Sequence, residues 1–222
     1  MKVILTGSTG FLGSEVLKQC CASSEITSVI ALTRRPLAGE VAHDKLQNLV
    51  MADFRIYSSE VVAAISGADA CIWCLGGTAA DIEVDYPVAF CQAVTQNWSS
   101  RTKPFRYVHC SGVLAEKDQN KRLWFLEEGR HAKGRAETLL VEFATAEEQR
   151  GLWQSYVMRP SMIMPTDPSI AQKLLGRLLG SVNVDDLGRA SIVLASHGDE
   201  SNFAENGDLV RLGSSTSLYK HP

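Results

Sequence analysis

The sequence has no apolar run approaching the length of a membrane span, and it has no excess of basic residues. A nucleic-acid surface normally shows as a basic excess, whereas the 222 residues carry a formal net charge of -3. The N-terminus also lacks the charged and apolar regions of a signal peptide. We therefore expect a cytoplasmic protein that takes a small-molecule substrate and binds neither membrane nor nucleic acid, with its oligomeric state left open.

A second C-x-x-C motif is also missing, so the six cysteines show no metal-binding pattern. Cys71 and Cys74 have this spacing, but they fall in an apolar strand whose alternation sends them to opposite faces of a sheet. A cytosolic chain of this size neither needs nor keeps disulfides. We therefore interpret the cysteines as small buried apolar residues.

Apolar strand-like runs alternate with helical patterns along the chain, and this alternation predicts a doubly wound α/β fold of Rossmann type with a parallel sheet. The hydrophobic content of 45% is ordinary for a globular protein. The predicted strands are Lys2–Thr6, Ser28–Thr33, Leu46–Met51, Ala70–Leu75, Tyr107–Ser111 and Ser155–Met158. The predicted helices are Ser14–Cys21, Ser58–Ile65, Ile82–Asn97, Leu123–Gln149 and Pro168–Leu179, with a further short helix ending near Ala195.

A glycine-rich turn connects the first predicted strand to the first helix. Its residues are Gly7, Ser8, Thr9, Gly10, Phe11, Leu12 and Gly13. Gly7 permits the tight turn, Gly10 lets the backbone approach phosphate, and Gly13 lets helix and strand pack closely. The helix N-terminus adds free N–H groups and a partial positive charge. Although the spacing is G-x-x-G-x-x-G rather than G-x-G-x-x-G, the placement predicts binding of a dinucleotide pyrophosphate.

The end of the second strand indicates which dinucleotide binds. In NAD-preferring folds an Asp or Glu here bonds the ribose hydroxyls. This sequence has Thr33 followed by Arg34 and Arg35, and two guanidiniums can pair with a 2′-phosphate. We therefore predict NADP(H), the alternative being a solvated basic turn. Asp53 is a candidate for the adenine amine. Gly76 and Gly77 either let the backbone pass close to the adenosine side or are simple loop residues.

The regular alternation stops after the sixth strand. We predict an NADP-binding core over residues 1–160, a small helical C-terminal appendage on the substrate side over residues 161–213, and a frayed tail over residues 214–222. Two roles are open for the appendage, which either closes over a substrate pocket or covers the sheet. The apolar residues that share one face of its first helix are Ile170, Leu174, Leu175, Leu178 and Leu179.

Several motifs, taken in order, resemble the short-chain dehydrogenase/reductase superfamily in its atypical branch. They are Thr6-Gly7 through Gly13, Thr33-Arg34-Arg35, Cys74-Leu75-Gly76-Gly77, His109-Cys110-Ser111-Gly112 and Arg159-Pro160-Ser161. Within the superfamily the likeness is to the Tat-interacting-protein-like group, which the stretch from Gly198 to Gly213 also resembles. The resemblance covers nearly the whole chain.

This resemblance implies a carbonyl-reducing site built from a Ser, a Tyr and a Lys. The Tyr phenol exchanges the proton, the Lys lowers its pKa and holds the nicotinamide ribose, and the Ser orients the carbonyl. Ser111 fits the Ser position and Lys133 fits the Lys position. The Tyr should lie four residues before Lys133, on the same helix face, but that residue is Gly129. The usual acid/base is therefore missing.

Two residues are candidates for part of its role. Arg130 shares the helix face of Lys133, and its guanidinium stabilises an oxyanion but cannot give up a proton at usable pH. Among the five tyrosines, Tyr86 is the one expected near the pocket. His131 has a suitable intrinsic pKa, but two residues correspond to about 200° around a helix, so it should point away from Lys133.

The candidate residues also have structural interpretations. Lys133 is alternatively a surface lysine paired with Glu137, and Ser111 a strand-end hydroxyl bonded to backbone. His109 is expected to be a satisfied core residue. The segment Trp124-Phe125-Leu126 either lines an apolar substrate pocket or belongs to the core.

Three functions are compatible with these residues. The first is an NADPH-dependent reductase of a small carbonyl, enone or imine, whose proton comes from Tyr86, water or the substrate. The second is a non-redox isomerase, dehydratase or cyclase that polarises a carbonyl with Ser111, Lys133 and Arg130. The third is an NADP(H)-sensing regulatory protein. We favour the first.

Overall fold

A computed structural model describes residues 1–37, 43–77, 79–96, 98, 101–146 and 151–215. Within these residues a seven-stranded sheet runs in the order β3-β2-β1-β4-β5-β6-β9, with every pairing parallel, and β7 pairs with β8 in a small second sheet. The strands are β1 (Lys2–Thr6), β2 (Ser28–Thr33), β3 (Leu46–Val50), β4 (Ala70–Trp73), β5 (Phe105–Cys110), β6 (Trp153–Arg159), β7 (Met162–Met164), β8 (Ser181–Asn183) and β9 (Phe203–Glu205). The predicted doubly wound α/β fold is confirmed.

Helices cover both faces of the main sheet. They are α1 (Phe11–Ala22), α2 (Ser59–Ile65), α3 (Tyr86–Thr95), α4 (Glu127–Thr145), α5 (Ile170–Leu179), α6 (Val184–His197) and α7 (Asn206–Ser214), and a π-helical segment, Asp81–Asp85, leads into α3. Helices α1, α6 and α7 bury apolar residues on one face, and α2, α3 and α4 bury theirs on the other. None of the helices in the described part of the chain is both long and apolar enough to cross a membrane.

The central strands are buried on both faces, which explains their near-continuous apolar runs. Strand β2 buries every residue from Val29 to Thr33. Cys71 packs in the cluster under α2, α3 and α4, whereas Cys74 packs against the cluster under α1 and α6. The predicted placement of these two cysteines on opposite faces is therefore confirmed.

The topology creates a crevice at one edge of the sheet. Strands β2 and β3 lie on one side of β1, and β4, β5 and β6 lie on the other. The strand order therefore reverses between β1 and β4, and ligands of such folds bind beyond the carboxyl ends of the strands at this point. The glycine turn after β1 lies here against the segment that follows β4, because a Cβ on Gly7 would overlap the Cys74 carbonyl oxygen.

The C-terminal part differs from the sequence expectation in its details. Strand β9 completes the edge of the main sheet beside β6, and α7 follows it. Strands β7, β8 and β9 have three residues each, too few for a periodic pattern. The predicted tail begins where α7 ends at Ser214, and residues 216–222 lie outside the described part. The division of the chain at residue 160 stays a prediction.

Candidate active site

A cavity of about 610 Å³ lies at the carboxyl ends of β4, β5 and β6. Its walls come from the segments that follow these three strands and from the first turns of α4. The lining residues are Gly77, Gly112, Val113, Leu114, Ala115, Leu126, Glu127, Glu128, Gly129, Arg130, Lys133, Pro160 and Ser161. Most of this lining is apolar or backbone, and its four charged residues (Glu127, Glu128, Arg130 and Lys133) all come from α4. A mainly apolar lining with a few polar groups is the usual character of a small-molecule site.

A close contact between α4 and the segment after β5 holds one wall in place. A Cβ atom on Gly134 would overlap the carbonyl oxygen of Glu116, so only glycine lets the two backbones approach this far. The Glu116 N–H donates to the Arg130 carbonyl oxygen over 2.9 Å. Helix α4 begins after Leu126, whose φ of 49° is the only positive value among the described non-glycine residues. These features fix Lys133 relative to the cavity wall.

Lys133 reaches the cavity and pairs with a carboxylate that sequence reasoning missed. Its Nζ donates to Oε1 of Glu83 over 2.7 Å, and the Gly77 N–H donates to the same oxygen over 2.8 Å. Glu83 is 1% exposed and comes from the π-helical segment, a type of structure frequent at functional sites. The alternative pairing of Lys133 with Glu137 is therefore wrong. In the sequence, this carboxylate is indicated only by a single acidic residue between two apolar ones, Ile82 and Val84.

Ser111 lies behind the cavity wall and is not part of the lining. Its Oγ donates to Oε1 of Glu137 over 2.7 Å, so its partner is a side chain and not the backbone. Glu137 is fully buried and also accepts from Arg159, whose Nε is 2.9 Å from Oε1 and whose Nη2 pairs with Oε2. Hydrogen bonds to Glu137 are the main cause that raises the pKa of the Arg159 guanidinium.

The other predicted catalytic residues fall in two places. Gly129 and Arg130 line the cavity next to Lys133, as the helix geometry predicts. The Arg130 Nε donates to the Leu114 carbonyl oxygen over 2.8 Å. Tyr86 does not line the cavity, and its ring stacks on Phe54 with the centroids 5.6 Å apart. The structure thus brings together Lys133, Arg130 and Gly129, with Ser111 behind them and Tyr86 elsewhere.

The aromatic segment before α4 divides between the cavity and the solvent. Leu126 lines the cavity, and Trp124 is 91% exposed. Phe125 packs its ring against Trp124, with centroids 4.5 Å apart, and the Arg130 guanidinium lies over it at 4.9 Å. The expectation of a pocket wall is confirmed for Leu126, and the alternative of a core role is wrong for Trp124.

His109 is buried as expected, but it is not satisfied. It has no exposed surface, and neither ring nitrogen has a hydrogen-bond partner among the described residues. Burial, assisted by the positive charge of Lys133, lowers the pKa of His109 from 6.5 to about 3. The imidazole is therefore neutral at physiological pH.

The glycine turn has the geometry that a pyrophosphate needs. Gly7 has a φ of 70°, and a Cβ there would lie 2.5 Å from the Cys74 carbonyl oxygen. A Cβ on Gly13 would overlap the carbonyl oxygen of Gly7. No side chain caps α1, whose N-cap is Gly10, and the buried Ser8 Oγ has no partner among the described residues. The open helix N-terminus and the orphaned hydroxyl fit a bound phosphate group. Thr9 and Phe11 are exposed and Leu12 is buried.

The turn after β2 presents two exposed arginines. Asn48 braces it, because its Nδ2 donates to Thr33 Oγ1 over 2.7 Å and its Oδ1 accepts from the Leu37 N–H over 2.9 Å. Arg34 and Arg35 follow Thr33, and neither forms an ion pair with a carboxylate of the described residues. This arrangement fits a 2′-phosphate.

Asp53 and the glycines after β4 are also placed by the structure. The Asp53 carboxylate pairs with the Arg55 guanidinium, with 2.7 Å between Oδ2 and Nη2, and this hydrogen bonding lowers the pKa of Asp53. Gly76 and Gly77 lie against Glu83 and thus beside Lys133. The adenosine contacts of these three residues stay predictions.

The sequence matches the model of an NAD(P)H-binding family over residues 7–148. The chain belongs to this family. The matched range contains the glycine turn, the arginine turn, Glu83 and Lys133. The expected NAD(P)-binding family is confirmed, and the likeness to the short-chain dehydrogenase/reductase superfamily is confirmed for the fold. Membership of the Tat-interacting-protein-like group stays a prediction.

Known proteins similar to this chain include a protein of a biosynthesis cluster and two proteins of known structure. Leucinostatins biosynthesis cluster protein T of Purpureocillium lilacinum is 33% identical over 76 residues, which are 34% of this chain and only 28% of that protein. The reductase domain of PhqB from Penicillium fellutanum has a TM-score of 0.66 at 16% identity, with 93% of this chain and 67% of that chain covered. Gre2 of Candida albicans in complex with NADPH has a TM-score of 0.66 at 17% identity, with 92% and 77% covered. The structural neighbours establish a reductase-like fold.

Proposed function

We propose that this protein is an NADPH-dependent reductase of an apolar carbonyl compound, and that the Lys133 ammonium gives its proton directly to the substrate. The observation that carries the proposal is the position of Lys133 in the cavity lining, beside Gly129. Where the superfamily places a phenol between the lysine and the substrate, this chain has no side chain. The substrate oxygen can therefore come within hydrogen-bond distance of Lys133 itself.

The cofactor would be held by the residues that fit it at the switch point of the sheet. The glycine turn from Gly7 to Gly13 would bind the pyrophosphate, and Arg34 with Arg35 would bind a 2′-phosphate. When bound, reduced nicotinamide supplies a hydride. The complex of Gre2 with NADPH supports this cofactor for a protein of the same fold. The exposed arginine pair favours the phosphorylated dinucleotide over NADH.

The character of the cavity walls indicates the class of substrate. Val113, Leu114 and Leu126 give apolar surface, and each of these side chains is about half exposed or more. Burying such surface against an apolar substrate contributes roughly 25 cal/mol per Å². Arg130 and Lys133 line the same cavity as the carboxylates Glu127 and Glu128, and the two cationic groups would stabilise a developing oxyanion. The walls and charges together suit an apolar molecule with one carbonyl group.

The proton transfer uses the Lys133–Glu83 pair. A hydrogen of the Lys133 ammonium passes to the substrate oxygen as negative charge develops there, which leaves a neutral amine and an alcohol product. Glu83 Oε1 keeps accepting from Nζ and from the Gly77 N–H, so the amine stays in position. A proton from solvent in the open cavity then restores the ammonium. Glu83 is buried and forms an ion pair with Lys133, so its main effect is to hold the Lys133 side chain in one orientation.

The proposal is tested with the variant Lys133→Met, which keeps the length of the side chain but has no proton to give. We expect kcat for reduction of an apolar aldehyde to fall about 100-fold or more, the usual contribution of a general acid. Lys121→Met is the matched control, because Lys121 pairs with Glu116 outside the cavity lining. Unchanged turnover in Lys133→Met, or no NADPH oxidation by the wild type with aldehydes, ketones, enones and imines, would overturn the proposal.

A further inference from the structure

Two serines follow neighbouring strands of the sheet at the cavity, and their hydroxyl groups are in different situations. Ser111 follows β5, is 7% exposed and does not line the cavity. Ser161 comes shortly after β6, is half-buried and does line it. The resemblance to the superfamily assigns the catalytic role to Ser111, so we compare the hydrogen bonds of the two serines to decide which hydroxyl a substrate meets.

The hydroxyl proton of Ser111 is already donated to another side chain of the protein. A serine has one hydroxyl proton, and in Ser111 it is donated to Glu137 over 2.7 Å. The Glu137 carboxylate is fully buried and is shared between Ser111 and Arg159. Turning Ser111 towards a substrate carbonyl would leave this buried carboxylate with one acceptor position unfilled, which is costly. Ser111 therefore cannot act as a ready donor to a carbonyl oxygen.

The network around Glu137 has the properties of a structural brace. Arg159 ends β6 and also pairs with Glu205 of β9, at 3.2 Å between Nη1 and Oε1. Its guanidinium lies over the Phe203 ring at 4.7 Å, and Lys117 lies over the same ring at 4.1 Å. The hydrogen bond from Ser111 thus ties β5 to α4, and through Arg159 to β6 and β9.

Ser161 has a fixed backbone and a hydroxyl that makes no hydrogen bond to the described residues. Its N–H donates to Asn206 Oδ1 over 2.9 Å, and Asn206 Nδ2 donates to the Ser181 carbonyl oxygen over 3.3 Å. Gly180 lies beside the Ser161 hydroxyl, and even a Cβ at Gly180 would stay 3.6 Å from Oγ. The Ser161 hydroxyl therefore has no hydrogen bond within the described residues to give up, and rotation about its Cα–Cβ bond would present it to the cavity that Ser161 lines together with Lys133.

We infer that Ser161, and not Ser111, is the hydroxyl that binds the substrate's carbonyl oxygen, acting together with Lys133, while Ser111 is a structural brace. This inference rests on the proposed carbonyl site. According to this inference, the ligand of the cavity has one hydrogen-bond acceptor. That acceptor receives hydrogen bonds from two donors, the Ser161 hydroxyl and the Lys133 ammonium. The inference also gives Ser161 the role that the resemblance assigns to Ser111.

The matched variants Ser161→Ala and Ser111→Ala test the inference, because each removes one oxygen atom. For Ser161→Ala we expect kcat/KM for an apolar aldehyde to fall about 10- to 100-fold with little change in melting temperature, as for loss of a donor to a developing oxyanion. For Ser111→Ala we expect kcat/KM within about threefold of the wild type and a melting temperature lower by about 3–8 °C. Ser161→Thr keeps the hydroxyl and should restore most of the activity.

Binding of hexanamide, an apolar carbonyl compound that NADPH does not reduce, separates this inference from the proposed function. Calorimetry should show weaker binding to Ser161→Ala and unchanged binding to Ser111→Ala. If these results hold while the wild type oxidises no NADPH, the reductase proposal fails and the assignment of Ser161 stands. Loss of hexanamide binding in Ser111→Ala with normal binding in Ser161→Ala, or no binding by the wild type, would overturn the inference. If Ser111→Ala does not fold, Ser111→Cys gives the same comparison.

Discussion

Lys133 and Glu83 are 50 positions apart in the sequence, yet Nζ of Lys133 donates to Oε1 of Glu83 over 2.7 Å at the cavity wall. Glu83 is buried and belongs to the π-helical segment, whereas Lys133 reaches the cavity from α4. The pair therefore links the element after β4 to the helix after β5. It holds the Lys133 ammonium in the cavity lining one helical turn after Gly129, the position where the resemblance calls for a tyrosine, and this is the basis of the proposed chemistry.

The contribution of the buried carboxylate is tested with Glu83→Gln, which keeps an oxygen for the Gly77 N–H but removes the negative charge. Because Lys133 loses its ionic partner and part of its orientation, we expect kcat to fall about tenfold or more with a smaller change in KM. Glu116→Gln is the control, since Glu116 pairs with Lys121 outside the cavity lining. Equal kinetics for Glu83→Gln and the wild type would show that Glu83 does not position Lys133.

The cofactor preference is tested with the double variant Arg34→Ala and Arg35→Ala. Because both guanidiniums are exposed and would pair with a 2′-phosphate, we expect NADPH affinity to fall about 10- to 100-fold, towards the affinity for NADH. Calorimetric titration with each dinucleotide measures the effect. Arg135→Ala, at an exposed position of α4, should change neither affinity. An equal loss of NADH and NADPH binding would contradict a contact with the 2′-phosphate.

The missing tyrosine can be restored with Gly129→Tyr. Its phenol would stand one turn before Lys133 on the cavity wall, so the lysine could act through it. We expect kcat/KM to rise for a small aldehyde and to fall for a long-chain one, because the ring takes space in the cavity. Steady-state kinetics with acetaldehyde and decanal would measure this change. Parallel changes for both substrates would argue against an open substrate position at Gly129.

His109 gives the protein a pH-dependent stability. Its pKa is about 3 in the folded protein, against 6.5 for an ordinary histidine, because burial disfavours the charged ring. Between these pH values the unfolded chain binds a proton that the folded chain does not. The free energy of unfolding therefore falls as the pH is lowered from 6.5 towards 3, by roughly 1.4 kcal/mol per pH unit from this group.

The variant His109→Phe should lose that part of the pH dependence. Since neither ring nitrogen has a partner in the described structure, an apolar ring of similar size should be nearly neutral or stabilising at pH 7. Denaturant unfolding at several pH values between 4 and 7 measures the slope. His43→Gln, at an exposed position, should keep the wild-type slope. A slope unchanged by His109→Phe would mean that another group titrates.

The close approach of α4 and the segment after β5 is tested with Gly134→Ala. Its methyl group would overlap the Glu116 carbonyl oxygen, so one backbone must move, and we expect a loss of about 2 kcal/mol or more in stability. Gly207→Ala is the matched control, because nothing lies within 4 Å of a Cβ there. As Gly207 is the second residue of α7, that change should alter the stability by no more than about 0.5 kcal/mol. Similar effects of both variants would contradict the tight packing.

The sequence was sufficient to predict six of the seven strands of the main sheet, because most of them are strongly apolar, but not the three-residue edge strand β9. Strands β1 and β2 have the predicted bounds, and the predicted helices near residues 14, 58, 123 and 168 all exist. Strands β5 and β6 begin two residues earlier than predicted, at Phe105 and Trp153. Both residues are buried, and their aromatic rings lie 5.0 Å apart between centroids. The sequence pattern alone does not show whether an aromatic residue at the end of an apolar run belongs to the strand or to the preceding loop.

The site was only partly predictable, because its hydrogen bonds join distant parts of the chain. Lys133, Arg130 and Gly129 could be placed together by helical spacing. Glu83 could not be found in this way, since its ion pair depends on how the π-helical segment packs against α4. The pairing of Ser111 with Glu137 and Arg159 likewise depends on the contact between β5, α4 and β6. Local pattern does not encode such contacts.

Transfer of deuterium from NADPH labelled at C4 to an apolar aldehyde tests the central claim most directly. The account predicts that mass spectrometry finds one deuterium in the alcohol for each NADPH consumed, and that Lys133→Met loses this turnover while still binding NADPH. Product without deuterium would contradict the account and favour the non-redox enzyme. Tight NADPH binding with no turnover on a broad substrate panel would contradict it as well and favour the NADP(H)-sensing protein.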